Sequence, residues 1–378
     1  MDSANIQRGL NPPLNEVSFN LAEGEKRMFA EPGHQATMAQ LVGPEEILTQ
    51  YHLDVAGISL IRDKGKKRVW RITTPAGDMV LKKMPGTAGR SRFIARSIRY
   101  LEQAGAGVPN LISTRSGDDV AVLGQENYLL MEWLSGNQPD YRAHFGLIMQ
   151  GLAQYHKASA GFKPFAEGGA RQHLNNWPDG YAAKMNELIL FREQAARDRG
   201  GRFEQLFLGQ VDYFLARIKT VQRLLSQSCY AEWNRDFRSR GGLCHQDFTP
   251  KNLRLQGDGR LRILDPDSVT IDIPARDLRK IFNKVIKKYR PGDPLMLQRM
   301  ESSYQEYNPL TREQWEVVFT DLYFPHLFCG AANKYFTNRA PDWPKDKHVS
   351  KLAGIIETER HKAEILADRL NIREGDLF

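Results

Sequence analysis

The run His245-Gln246-Asp247-Phe248-Thr249-Pro250-Lys251-Asn252 holds the residue types that phosphoryl transfer to a hydroxyl requires. That reaction needs a carboxylate beside the acceptor oxygen and oxygen donors for magnesium, a hard cation. A single loop spaced H-x-D-x-x-x-x-N supplies both. Asp247 is expected to accept or orient the hydroxyl proton, and Asn252 to ligate metal through its side-chain oxygen. His245, the other catalytic candidate, is read as propping the loop by hydrogen bonding more than as a reactant. Downstream, Ile263-Leu264 runs into Asp265-Pro266-Asp267. Asp265 is expected to hold metal and Asp267 to be a second such ligand, against the alternative of two turn acids.

Further upstream, Val80-Leu81-Lys82-Lys83 sets two lysines in a strand-like apolar run. A buried amine is costly unless an anion meets it, and a nucleotide phosphate is a suitable partner. Strand alternation turns one lysine inward and the other to solvent. The register of the motif selects Lys82, the alternative being two edge-strand lysines that deter aggregation. Leu130-Met131-Glu132-Trp133-Leu134-Ser135-Gly136 reads as a strand passing into an extended linker. There the backbone of Glu132 and Leu134 is expected to meet the adenine edge while Met131 floors the pocket. ATP and Mg2+ are the cofactors these residues imply.

These groups need elements to position them. Gly43-Pro44-Glu45-Glu46 signals a helix start. Ile58–Ile61, Val69–Thr73 and Met79–Met84 are β-prone and read as an antiparallel meander, followed by a helix through Phe93, Ile94, Ile98 and Leu101. Val120–Leu123 and Tyr128–Met131 are further strands. Phe145 to Tyr155 and Val211 to Leu225 carry helical apolar faces. Leu253–Leu255 and Leu261–Leu264, joined through Asp258-Gly259, form a small hairpin between helical stretches. The expected fold class is α+β: a bilobal, protein-kinase-like arrangement with a small antiparallel N-lobe and a large helical C-lobe. Expected boundaries are 1–36 for a loosely ordered extension rich in Pro and Gly, 37–134 for the N-lobe with its nucleotide-binding sheet and hinge, and 135–378 for the C-lobe with catalytic loop and acceptor region.

The 53 Lys and Arg residues outnumber 45 Asp and Glu, but they are spread along the chain without aromatic interleaving, so nucleic-acid binding is not expected. Cys229, Cys244 and Cys329 are read as reduced thiols in a cytoplasmic setting. No leader and no membrane-length apolar run is apparent, so membrane insertion is not expected. The C-terminal aromatics (Trp315, Tyr323, Phe324, Phe328 and their neighbours) read as core in preference to acceptor pocket, and Asp321 as an acid of undecided role.

With Lys82, the hinge run, the His245–Asn252 loop and Asp265 in that order, the chain resembles the aminoglycoside and choline kinase-like phosphotransferase superfamily over about residues 50–370. That superfamily's loop commonly reads H-G-D-x-H-x-x-N; Thr249 replaces its inner histidine. Leu243–Phe248 and Asp272–Lys280 are most similar to the CotS-type spore coat kinase-like proteins. This resemblance implies transfer of the γ-phosphoryl group of ATP to a small-molecule acceptor bearing a hydroxyl, deposition in the spore coat and coat proteins as partners. It also implies that Asp277 braces the catalytic loop, where the residues alone also allow a helix N-terminal acid. Two departures stand out. Asp63–Lys67 has only Gly65 where a glycine-rich phosphate loop is expected, and the helix after Met84 offers no mid-helix acid for Lys82, leaving Glu102 near its end as the candidate. The competing function is a structural coat protein that keeps the fold without the chemistry.

Overall fold

The computed structural model describes residues 43–64, 67–163, 169–198, 200–289 and 294–372. The extension expected at 1–36 lies outside these residues. Helix α1 (Pro44–Leu48) opens with Pro44 in its first turn beside Glu45 and Glu46. Strands β1 (Gly57–Lys64), β2 (Lys67–Thr74) and β3 (Gly77–Met84) form the meander. Helix α2 (Ala88–Gln103) follows, its first turn capped by the Thr87 side chain, which accepts from Arg90 N–H. Strands β4 (Leu111–Ile112), β5 (Ala121–Leu123) and β6 (Glu126–Glu132) complete an antiparallel sheet of order β1-β2-β3-β6-β4, with β5 also on β6.

Period-two alternation divides this sheet. Trp70, Ile72, Leu81, Tyr128 and Leu130 pack with Ile47, Leu48 and Tyr51 of α1 and the segment after it. The opposite parity carries Val80 and Lys82, which pair with Met131 and Leu129 of β6. Lys82 therefore sits centrally in the sheet, with β2 on one side and β6 on the other.

The larger lobe is helical: α3 (Tyr141–Ala158), α4 (Trp177–Arg197), α5 (Arg202–Gln227), α6 (Tyr230–Arg240), α7 (Ala275–Lys288), α8 (Pro294–Gln305), α9 (Arg312–Tyr323), α10 (His326–Phe336) and α11 (Lys345–Ala367). The apolar face read on α5 is buried, including Val211, Phe214, Ile218 and Val221. Trp315, Tyr323, Phe324 and Phe328 are core, and Phe328 stacks on Phe207 and Phe214. Strands β7 (Leu253–Leu255) and β8 (Leu261–Ile263) interrupt the helices as a hairpin. Its connection is longer than the two-residue Asp258-Gly259 turn: Gln256 N–H donates to Arg260 O at 2.9 Å, and Gly259 takes φ +80°. The architecture is thus α+β with a small antiparallel lobe and a large helical one. Among the described residues no helix is long and apolar enough to cross a membrane.

Candidate active site

Lys82 is 7% exposed on β3, and its ammonium meets two carboxylates, Asp265 Oδ1 at 2.5 Å and Asp267 Oδ1 at 2.6 Å. Burial alone would lower its pKa; the two aspartates outweigh it and hold the amine above its ordinary value. Lys83 turns to the other parity and pairs with Glu126 at 2.9 Å. Asp265 takes a left-handed backbone (φ +51°) at the exit of β8, so the chain reverses there and both acids of Asp-Pro-Asp face Lys82. Lys67 on β2 adds a third contact, 3.2 Å to Asp267 Oδ2.

Glu102 does not partner Lys82. It binds Arg99 at 2.9 Å and lies near Leu111 N–H, at the far end of α2. The start of α2 contributes a cation instead: Arg90 donates to Asp267 O at 2.8 Å and Val269 O at 2.7 Å, pinning the segment after Asp265. With Glu102 of α2 turned to Arg99, the lysine takes its counter-charges from the Asp265–Asp267 segment.

The His245–Asn252 loop is held through His245 and through Asp277. Buried His245 accepts from Asp247 N–H through Nδ1 at 3.3 Å and donates through Nε2 to Leu264 O at 3.0 Å. Burial, its largest influence, keeps the ring's pKa below the ordinary value, so it remains neutral and serves both bonds. His245 therefore ties the loop to the strand that leads into Asp265. Asp277, in the first turn of α7, accepts from His245 N–H at 2.6 Å and Gln246 N–H at 2.8 Å, while His156 lies 3.2 Å away. Burial opposes ionisation of Asp277, but these partners prevail and lower its pKa to about 2. The brace implied for Asp277 and the helix N-terminal position are the same residue. Gln246 adopts φ +72° where the superfamily's loop pattern carries glycine, and the Asp277 bond fixes that conformation.

Asp247 points two oxygens at cations, Lys284 at 2.8 Å and Lys251 at 3.0 Å. Partial burial raises its pKa, and the two lysines overcome this and hold it well below the carboxylate range. Asn252 donates its amide to Asp247 O at 2.9 Å and Oδ2 at 3.0 Å, which directs its side-chain oxygen away from Asp247. Asn252, Asp265, Asp267, Lys82, Met131, Glu132 and Leu134 line one cavity of about 270 Å³ between the lobes. Hydrogen bonding qualifies the hinge expectation. Glu132 N–H already donates to Asn110 O at 2.9 Å and its side chain pairs with Arg262, so its carbonyl and the Leu134 backbone are what remain for an adenine edge.

Several lining groups escaped the sequence reading: Arg62, Val69, Trp133 and Arg254 also line the cavity. Trp133 follows the hinge strand, and Arg71 lies 5.0 Å over its ring. Lys284 and Lys280 on α7 carried a readable signal, an i, i+4 spacing from Arg276, but no motif names them. Asp321 is buried against Arg279, His326 and Tyr181.

Comparison with known proteins bears on family and fold. Residues 57–311 match the model of the phosphotransferase enzyme family. Spore coat protein S of Bacillus subtilis (strain 168) is 31% identical over 324 residues, covering 85% of this chain and 92% of that protein. Among solved structures, an aminoglycoside phosphotransferase from Alicyclobacillus acidocaldarius superposes with TM-score 0.72 at 18% identity, covering 87% of this chain and 97% of that one. A spectinomycin phosphotransferase in complex with ADP and spectinomycin gives 0.58 at 14%, covering 85% and 97%. The shared kinase-like fold and the extent of these matches establish that this chain belongs to the phosphotransferase enzyme family.

Proposed function

We propose that the protein transfers the γ-phosphoryl group of ATP to the hydroxyl of a small molecule, and that it works in association with the spore coat. The observation that carries the reading is the convergence of Lys82, Asn252, Asp265 and Asp267 on one cavity, with Asp247 hydrogen-bonded to Asn252 at its edge. Residues 37–134 then supply the nucleotide sheet and hinge, and 135–378 the catalytic loop and acceptor side. The donor set fits magnesium, since Asp265, Asp267 and Asn252 offer hard oxygens on a single cavity. The ion, when bound, offsets phosphate charge. Lys82 neutralises phosphate oxygens, the Leu134 backbone and the Glu132 carbonyl orient adenine, and His245 keeps loop and metal acids in register. Asp247 takes the acceptor proton as the acceptor oxygen bonds the γ-phosphorus and the bond to the β–γ bridging oxygen breaks, releasing ADP.

Titration calorimetry of ATP with and without magnesium, followed by an acceptor screen read by ADP release, tests this. Magnesium-dependent binding and acceptor-stimulated ADP release that requires Asp247 are expected; no heat with either would remove the reading. A structural coat role is the second reading, favoured by the likeness to spore coat protein S and by the sequence Asp63–Lys67, which carries three lysines and a single glycine where a glycine-rich loop is expected. An intact fold with no nucleotide binding would support it.

A further inference from the structure

The acceptor side of Asp247 is more basic than removing one proton requires. Lys284 and Lys251 share its carboxylate. One turn earlier on α7, Lys280 reaches Gln246 O at 2.8 Å and Oε1 at 2.5 Å, and a further turn back stands Arg276. The i, i+4, i+8 spacing puts these three cations on one face of α7; Lys280 and Lys284 reach the loop at Gln246 and Asp247, while Arg276 pairs with Asp272. Arg171 belongs to the same surroundings: Ile271 N–H donates to its carbonyl at 2.8 Å, and Thr270 in turn pairs with Cys244 beside the loop. Burial and then Arg276, Lys280 and Arg171 push the pKa of His173 down to about 4, which places these charges around one space.

The nearby acids are already committed. Asp272 is buried under Arg276 and the Trp177 indole. Asp321 is enclosed by Arg279, His326 and Tyr181, so it is closed to a cationic acceptor. Asp277 is occupied by the loop amides and His156. Among the described residues Lys280 forms no ion pair; burial lowers its pKa most, the Asp277 carboxylate opposes this in part, and Arg279, Arg276 and Lys284 add to the lowering, which brings it to about 8. Beside it the Gln246 Nε2 atom is buried and bonds nothing. A largely buried ammonium held only by amide oxygens, and an idle N–H donor beside it, are each costly until an anion arrives.

Resting on the reading of Asp247 as the phosphotransfer base, we infer that the acceptor carries an oxyanion, phosphate or carboxylate, near its reacting hydroxyl, and that Lys280, Lys284 and the Gln246 amide bind that group. A polycationic acceptor is repelled by the same residues.

The full chain, loaded with magnesium and the non-hydrolysable analogue AMP-PNP, is titrated calorimetrically with sn-glycerol 3-phosphate, D-glucuronate and inorganic phosphate, and with glycerol, D-glucose and kanamycin. At least one oxyanion is expected to bind about tenfold or more tighter than its neutral counterpart. Lys280→Gln and Lys284→Gln, checked for folding by circular dichroism, are each expected to lose that preference while retaining AMP-PNP. The phosphate and carboxylate arms separate the two oxyanion sources. Equal or tighter binding of the neutral compounds or kanamycin, or an oxyanion preference unchanged in both variants, overturns the inference. So does a loss confined to AMP-PNP binding. If AMP-PNP itself fails to bind, the nucleotide reading falls; inorganic phosphate titrated into Lys82→Ala protein then still reads the α7 cluster, and absence of saturable binding there overturns it.

Discussion

At the scale of single residues, charge pairing decides which groups are available. Two lysines hold Asp247 ionised to well below the usual carboxylate range, so its carboxylate stays charged across neutral pH. Asp247→Ala is expected to lower turnover about 100-fold or more while magnesium–ATP binding persists, as single-turnover rates beside calorimetry would show. Asp277 yields a prediction about stability. Its folded pKa, about 2 against an ordinary 3.8, lies below the unfolded value. Ionisation of Asp277 therefore stabilises the fold fully above about pH 4, and the contribution is lost as pH falls through 2. Its size is about 2 kcal/mol. Thermal melts of Asp277→Asn against the parent should differ by a constant amount above pH 4 and converge toward pH 2; a gap that does not narrow would contradict the assignment.

At the scale of elements, the segment after β6 and the β7–β8 hairpin are one unit. Asn137 and Leu255 exchange backbone bonds, Asn137 N–H to Leu255 O at 3.0 Å and the reverse at 2.8 Å. The adjoining Gly136 has φ +118°, and a Cβ there would lie 2.6 Å from Leu255 O. Gly136→Ala meets both a disfavoured backbone conformation and a backbone oxygen that the hairpin cannot easily move. A loss of roughly 1–3 kcal/mol in urea unfolding is expected, with weaker nucleotide binding because Leu134 is two residues away. Unchanged unfolding would mean that the hinge is free of the hairpin. Helix α2 differs from the expected kinase arrangement: it secures the Asp267–Val269 segment through Arg90 and leaves Lys82 to the aspartates.

At the scale of the whole molecule, the site exists only where the lobes meet, since Lys82 comes from the sheet and Asn252, Asp265 and Asp267 from the loop and hairpin of the helical lobe. A nucleotide bridging them should stabilise the fold as a unit. At a concentration 100 times the dissociation constant, binding adds about 2.7 kcal/mol. For a domain of this size that corresponds to a rise of roughly 3 °C in melting temperature with magnesium–ATP. Asp265→Asn should abolish the magnesium-dependent part of the rise in scanning fluorimetry; a full rise in that variant would remove Asp265 from the metal set.

Local order determined much of what is present here. Alternating burial specifies β2, a short continuous apolar run buried on both faces specifies β6, and helical spacing specifies α5 with one face to bury. The loop spacing from His245 to Asn252 and the Asp-Pro-Asp turn mark the chemistry because a short segment must present those atoms together. Asp277 was legible only through likeness to a family, since a helix N-terminal acid reads the same in isolation. Tertiary structure alone decided the partners of Lys82, which come from residues 183 and 185 positions away, and ruled out Glu102, a nearer acid on the wrong turn of α2. It also turned α7 so that Lys280 and Lys284 face the catalytic loop and buried Asp321 among its own partners. Ion pairs across lobes depend on how whole elements dock, and a linear pattern reports the face an element shows but not what it meets.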